Sequence, residues 1–231
     1  YGKMGKAIEE IAKANGDELV LKISSENAQA FTTENLKKAD VAIEFSNPES
    51  AVENIKKCFD ANVPVVCGTT GWLKNLDEVK EYCHEKEGAF LYASNFSIGV
   101  NIFFALNTYL ASLMNAHNEY DVSIEEIHHT QKKDAPSGTA ITLAEQLIEK
   151  IRTKKNWVNT KTSEASELEI ISKRINEIPG IHKVKYNSAT DYIEIIHSAH
   201  NRKGFASGAL LAAKFIVGKK GIFSMQDVLG L

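Results

Sequence analysis

The stretch Asp40-Val41-Ala42-Ile43-Glu44-Phe45-Ser46-Asn47-Pro48 decides the fold class of this 231-residue chain. Residues 40–46 read as a strand. Asn47-Pro48 then reads as a helix start, because Asn can cap the free N–H groups and Pro suits the first helical position. Apolar residues recur at spacings of three and four over 48–61, which predicts a helix there. The same alternation extends outward. A helix is predicted over 3–14, with Ile8, Ile11 and Ala12 on one face, and another over 75–87. Strands are predicted over 18–24, 63–67 and 89–92. Strands that alternate with helices imply an α/β domain, a parallel sheet with helices on both faces.

Past residue 97 the pattern changes. A long apolar helix is predicted over 98–116, a strand over 120–127, a polar loop over 128–137 and a helix over 138–152. Residues 153–166 are rich in Lys, Thr, Ser and Asn and read as a mobile surface loop. Three strand-like runs follow without helices between them, at 168–175, 181–187 and 190–197. Such a run implies an antiparallel or mixed sheet, hence a second, α+β domain. A helix returns over 205–217, with Gly218 as its stop.

Composition narrows the function. Apolar residues make up 43% and charged residues 25%, the balance of an ordinary globular chain. Disorder, collagen-like repeats and a disulfide-dense scaffold are excluded. A net charge of −3 offers no basic field for nucleic acid. No apolar run approaches the roughly 20 residues that span a bilayer. The opening residues do not form a signal peptide, so a cytoplasmic protein without membrane or nucleic-acid partners is expected. Cys58, Cys67 and Cys83 are odd in number and lack a C-x-x-C pair, so they read as reduced, buried thiols.

Several motifs carry chemistry. Tyr1-Gly2-Lys3-Met4-Gly5 ahead of a helix matches the back half of a glycine-rich dinucleotide turn. Gly2 would let backbone approach a pyrophosphate, and Gly5 would let the helix pack on the sheet. Such a turn follows a strand, so roughly ten residues are expected before Tyr1. Ser24-Ser25 occupy the ribose-reading positions, with Glu26 a late carboxylate, which leaves NADH and NADPH open. Gly68-Thr69-Thr70 and Ala93-Ser94-Asn95-Phe96 each follow a strand, at the sheet edge where ligands bind.

The segment Glu126-Ile127-His128-His129-Thr130-Gln131-Lys132-Lys133-Asp134-Ala135-Pro136-Ser137-Gly138-Thr139-Ala140 is denser still. Ser137 is a candidate helix cap. The N–H groups of Gly138 and Thr139 make a cradle for a carboxylate. A His and a Lys nearby add positive charge and proton-transfer capacity. A metal site is not expected, because no further His or Cys stands at ligand spacing.

His-His-x-x-Lys-x-Asp-Ala-Pro-Ser-Gly-Thr-Ala resembles the signature of the 4-hydroxy-tetrahydrodipicolinate reductase (dihydrodipicolinate reductase) family. The Gly-Lys-Met-Gly start, Gly68-Thr69-Thr70, Ala93 to Val100 and Phe223 to Leu229 fall in the family's order. The resemblance implies a Rossmann-type dinucleotide-binding domain from 1–96 with 203–231. Residues 97–202 would form a substrate-binding and tetramer-forming domain. It implies NAD(P)H-dependent reduction of a cyclic dicarboxylate in the diaminopimelate route to lysine. By motif register, His128 and Lys132 match the catalytic pair, and His129, Gly138 and Thr139 match substrate contacts. Tyr1, Gly2, Lys3, Met4, Gly68, Thr69, Thr70, Ala93, Ser94, Asn95 and Phe96 match the cofactor shell. Two places depart from the pattern. Asn176-Glu177, within Arg174 to His182, stand where the family usually has Gly-Asp. His200-Asn201-Arg202 stand where it commonly has Ser-Ser-Arg. The rival readings are another nicotinamide dehydrogenase of amino or imino dicarboxylates, and a sensor that binds NAD(P)H without turnover.

Overall fold

The computed structural model, which describes residues 1–201 and 203–231, separates into two units: Tyr1–Ile98 with Lys203–Leu231, and Gly99–Arg202. In chain order the elements are α1 (Lys3–Ala14), α2 (Thr33–Leu36), β1 (Ala42–Glu44), α3 (Pro48–Asp60), β2 (Val65–Cys67), α4 (Leu76–Glu85) and β3 (Ala89–Tyr92). Then come α5 (Ile98–Met114), β4 (Asp121–His128), α6 (Gly138–Lys150), β5 (Asn156–Val158), β6 (Glu167–Arg174), β7 (Gly180–Asn187) and β8 (Tyr192–Ala199). The chain returns to the first unit as α7 (Lys203–Ile216), β9 (Gly221–Phe223) and α8 (Met225–Leu229).

In the first unit, β1, β2, β3 and β9 form an all-parallel sheet in that order. Successive side chains on a strand point to opposite faces. Val66 accordingly joins Ile8, Ala12, Ala209, Ala213 and Ile216 on the side of α1 and α7. Val65 and Cys67 join Ile55, Phe59, Val79 and Cys83 on the side of α3 and α4. Asn47 caps α3, its side chain accepting from the Ser50 N–H at 3.0 Å, and Pro48 is the first helical residue. Helix α7 passes so close to the Phe96 carbonyl that a Cβ on Gly208 would stand 1.7 Å from its oxygen.

In the second unit the sheet order is β5-β6-β4-β7-β8. Strand β4 pairs parallel with β6 and antiparallel with β7, so the sheet is mixed. Helices α5 and α6 supply Val100, Phe104, Ala111, Leu143 and Leu147 to the core against Val122, Ile124, Leu168, Ile170, Val184 and Tyr186. The two-residue period of β4 buries 122, 124, 126 and 128 on one face. It thereby carries an acid and a histidine to the end of an apolar row.

Three segments differ from the sequence reading. Residues 18–24 pair with no strand among the described residues. A strand needs a ladder neighbour, and here the Asn27 side chain takes backbone groups instead, accepting from Ser24 N at 2.7 Å and donating to Lys22 O at 2.8 Å. Residues 153–166 are not simply a loop, because β5 pairs parallel with β6. Trp157 packs against the core there. Buried Lys154 donates to Asp121 at 2.7 Å and to the Glu167 carbonyl at 2.8 Å. These two anchors outweigh the polar composition around them. The return segment also adds a strand, β9, beside its helices.

Candidate active site

At the end of β4 the side chains converge on Glu126, which is fully buried. Its Oε1 accepts from Arg174 Nη2 at 3.0 Å and from the Ser137 N–H at 3.2 Å. Its Oε2 lies 2.9 Å from His128 Nδ1 and 3.9 Å from His182 Nε2. Burial alone would raise this carboxyl, but His128, Ser137, Ser172 and Arg174 outweigh it and hold Glu126 well below the usual carboxylate range. His182 is pushed the other way. Burial, then the neighbouring His128, lower its pKa to about 3, so it is neutral. The His128 and His182 rings meet edge-on with centroids 5.0 Å apart. Glu126, His128 and His182 offer donor atoms within 4.8 Å of one another, yet the Arg174 guanidinium already supplies the counter-charge to this carboxylate.

The loop after β4 is tied to the same centre. Arg174 donates to the carbonyls of Asp134 at 2.6 Å and Lys132 at 3.4 Å. Lys132 Nζ is bidentate on the Asp134 carboxylate at 2.8 and 2.9 Å. Asp134 sits below its ordinary pKa because this ammonium outweighs its partial burial. Ser137 caps α6, its Oγ accepting from the Ala140 N–H at 3.2 Å and lying 3.2 Å from His182 Nε2. Nothing lies within 4 Å of where a Gly138 Cβ would stand, so the amino end of α6 is open there. His129 and Thr139 are half-buried on either side of this loop in the chain. His128 Nε2 faces Gly180, where a Cβ would come within 3.0 Å.

In the first unit, Gly68-Thr69-Thr70 and Ala93 to Phe96 lie side by side at the carboxyl ends of β2 and β3, joined by the Ala93 N–H to the Cys67 carbonyl at 3.2 Å. Met4 packs in the same apolar cluster as Ala93 and Phe96. These residues divide by exposure. Gly2, Lys3, Thr70 and Ser94 reach solvent. Thr69 is buried, and its hydroxyl accepts from the Ser46 N–H at 2.7 Å, so it locks the turn. Asn95 is buried and accepts from the Ser97 N–H at 2.9 Å. Phe96 belongs to the core. Tyr1 turns its hydroxyl to Glu9 and its amino group to the Ile23 carbonyl. The three cysteines are free and buried, and burial raises the Cys58 thiol to about 12 and Cys83 to about 11.

Comparison with known proteins adds to this geometry. The family described as dihydrodipicolinate reductase, N-terminus, matches residues 1–96, and the one described as dihydrodipicolinate reductase, C-terminus, matches 99–229. The chain belongs to the dihydrodipicolinate reductase family. The 4-hydroxy-tetrahydrodipicolinate reductase of Christiangramia forsetii is 48% identical over 231 residues, 99% of this chain and 95% of that one. The reductase of the same name from Methanoregula boonei is 39% identical over 198 residues, 84% of this chain and 76% of that one. Among solved structures, a dipicolinate-bound dihydrodipicolinate reductase from Paenisporosarcina sp. TG-14 is similar with a TM-score of 0.74 and 25% identity, covering 98% of this chain and 95% of that one. An amine dehydrogenase from Mycobacterium smegmatis shares the fold, with a TM-score of 0.62 at 9% identity over 97% and 92% of the two chains.

In this chain the departure at Asn176 has a structural account. Asn176 adopts φ +40, the left-handed region that Asn tolerates better than most residues, and its carbonyl accepts from the Thr130 N–H at 3.1 Å. The turn is therefore built without glycine. Arg202 lies outside the described residues. Sequence reasoning missed Glu126, Arg174 and His182 as members of the site. Arg174 and His182 stood at the ends of the Arg174 to His182 motif, and Glu126 at the start of the dense segment. Only strand pairing shows that they meet.

Proposed function

We propose that this chain reduces 4-hydroxy-tetrahydrodipicolinate to tetrahydrodipicolinate with NADH or NADPH, on the diaminopimelate route to lysine. The observation that carries the reading is the gathering of His128 and the amino end of α6 about one buried carboxylate, with the Lys132 loop tied to it through Arg174, in a chain 48% identical over nearly its whole length to a relative named for this reaction. The neighbour with dipicolinate, a cyclic dicarboxylate, points to the same substrate class.

The first unit fits a pyridine nucleotide. Helix α1 begins without a side-chain cap, and nothing lies within 4 Å of a Gly2 Cβ position, so its leading N–H groups suit phosphate oxygens. Gly2, Lys3 and Met4 would hold the pyrophosphate. Gly68 to Thr70 and Ala93 to Phe96 would shape the nicotinamide end. The reduced nicotinamide, when bound, supplies the hydride.

The second unit handles charge and the proton. The amino end of α6 at Gly138-Thr139 would receive one substrate carboxylate, and His129 would offset the charge of the dianion. Hydride addition leaves an electron-rich enamine carbon that needs a proton. Lys132, or His128 through a hydrogen bond, delivers it. Asp134 keeps the Lys132 ammonium in place. A homotetramer is carried over from the family resemblance, and edge strand β8, which exposes Tyr192, Ile193 and Ile196, offers an apolar face to a neighbouring copy. No helix among the described residues is long and apolar enough to cross a membrane.

Absorbance at the nicotinamide band, with freshly generated substrate and each cofactor in turn, tests the reading. Oxidation dependent on that substrate is expected, and the two rates rank NADH against NADPH. Cofactor binding without oxidation would replace the reductase reading with a sensor. Oxidation with a different imino dicarboxylate only would change the substrate.

A further inference from the structure

Glu126 takes no direct part in the chemistry above, yet it touches His128 and the Ser137 cap of α6 directly and reaches the Lys132 loop through Arg174. We infer that Glu126 is a positioning residue for the reduction, acting with Arg174 to align His128, the Lys132 loop and the amino end of α6 through one buried carboxylate. This rests on the reductase reading.

The argument begins with cost. A buried carboxylate is expensive unless it is paired and hydrogen-bonded, and a well-packed apolar substitute is often as stable. The apolar core of the second unit is made of other residues. Stability alone is therefore weak grounds for Glu126 and Arg174. Placement gives stronger ones. Oε1 receives the Ser137 N–H at 3.2 Å, so the helix cap is anchored to β4. Oε2, 2.9 Å from His128 Nδ1, favours a proton on Nδ1 and leaves Nε2 as the nitrogen that faces Gly180. Arg174 is more than a counter-ion. The same guanidinium that meets Glu126 at 3.0 Å also holds the carbonyls of Asp134 at 2.6 Å and Lys132 at 3.4 Å. The planar fork of Arg reaches all three acceptors, which the single ammonium of Lys does not.

The test uses Glu126→Gln, which keeps shape and loses charge, with Arg174→Ala and Arg174→Lys. Each is measured for kcat and KM, for NADH affinity, for thermal stability and for the imidazole 15N signals of His128. For Glu126→Gln, kcat is expected to fall about 30-fold or more while KM and NADH affinity stay within about 3-fold. The Nδ1–H signature of His128 should weaken. Arg174→Ala should lose comparable turnover and regain part of it with added guanidinium, and Arg174→Lys should restore little. A folded Glu126→Gln enzyme with wild-type kcat and an unchanged His128 signature would overturn the inference. So would a loss in Arg174→Ala that follows stability alone and ignores guanidinium. If the wild-type chain turns over no substrate, the reductase reading fails, and the His128 signature in Glu126→Gln still decides the positioning claim by itself.

Discussion

The strands of the first unit are three or four residues long, and β4, β6, β7 and β8 of the second are eight. The short parallel strands are covered on both faces and carry apolar side chains almost throughout. Apart from the buried Glu44 of β1, their polar atoms stand in the turns that follow, where Thr69 and Asn95 accept backbone N–H groups and give the turns their shape. The long strands have a period of two, which brings Glu126, His128 and His182 onto a buried face beside an apolar row. The difference follows the work each unit is proposed to do. A phosphate and a neutral ring are held by shaped backbone and helix N–H groups. A proton transfer needs titratable side chains held in a fixed arrangement.

The largest expected effect separates the two halves directly. Lys132→Ala and His128→Ala should each lower kcat by about 100-fold or more. NADH affinity should stay near the wild-type value, as measured by fluorescence titration. Equal loss of cofactor binding would break the division of labour.

Next in size is a purely structural change in the first unit. Gly208→Ala sets a methyl 1.7 Å from the Phe96 carbonyl oxygen. It should cost about 3 kcal/mol of stability in urea unfolding, or prevent folding. Gly138→Ala meets nothing within 4 Å and should unfold like the wild type.

Gly180→Ala sharpens the comparison on the other side. Its methyl would stand 3.0 Å from His128 Nε2, and the ring must give way. A fall of about 10-fold in kcat is expected, with little loss of stability. An unchanged kcat would show that this side of the imidazole is not the working one.

The smallest effect is a pH slope. His182 has a folded pKa of about 3 against an ordinary 6.5, because burial disfavours its charged form. Its contribution is complete above about 6.5 and is lost as pH falls towards 3, since the unfolded chain then binds a proton that the folded one refuses. His197, also lowered by burial, acts in the same direction. Urea unfolding from pH 7 down to about 4.5 should show falling stability. His182→Gln should flatten that slope. Glu126, held below its usual range, adds to the loss only at more acid pH.

Much of this was legible locally. The Asn47-Pro48 start of α3 and the Ser137 cap of α6 follow from side chains that bond three residues along the chain. Gly218, at φ +73, ends α7 for an equally local reason. The errors were non-local. Residues 18–24 have strand composition but no ladder partner among the described residues, and 153–166 have loop composition but two anchoring side chains that find distant partners.

The same distinction runs through the site. The sequence by itself determined that His128, Lys132 and the start of α6 would be neighbours, because they fall within one short segment joining a strand to a helix. Only tertiary structure decided what governs them. The parallel register of β4 and β6 sets His128 opposite Arg174, and the antiparallel register of β4 and β7 sets Glu126 opposite His182. Register is chosen by which apolar rows share a core, and a shift of one residue would turn every one of these side chains to the other face. A property of whole strands packing together therefore placed the charges that no local pattern could pair.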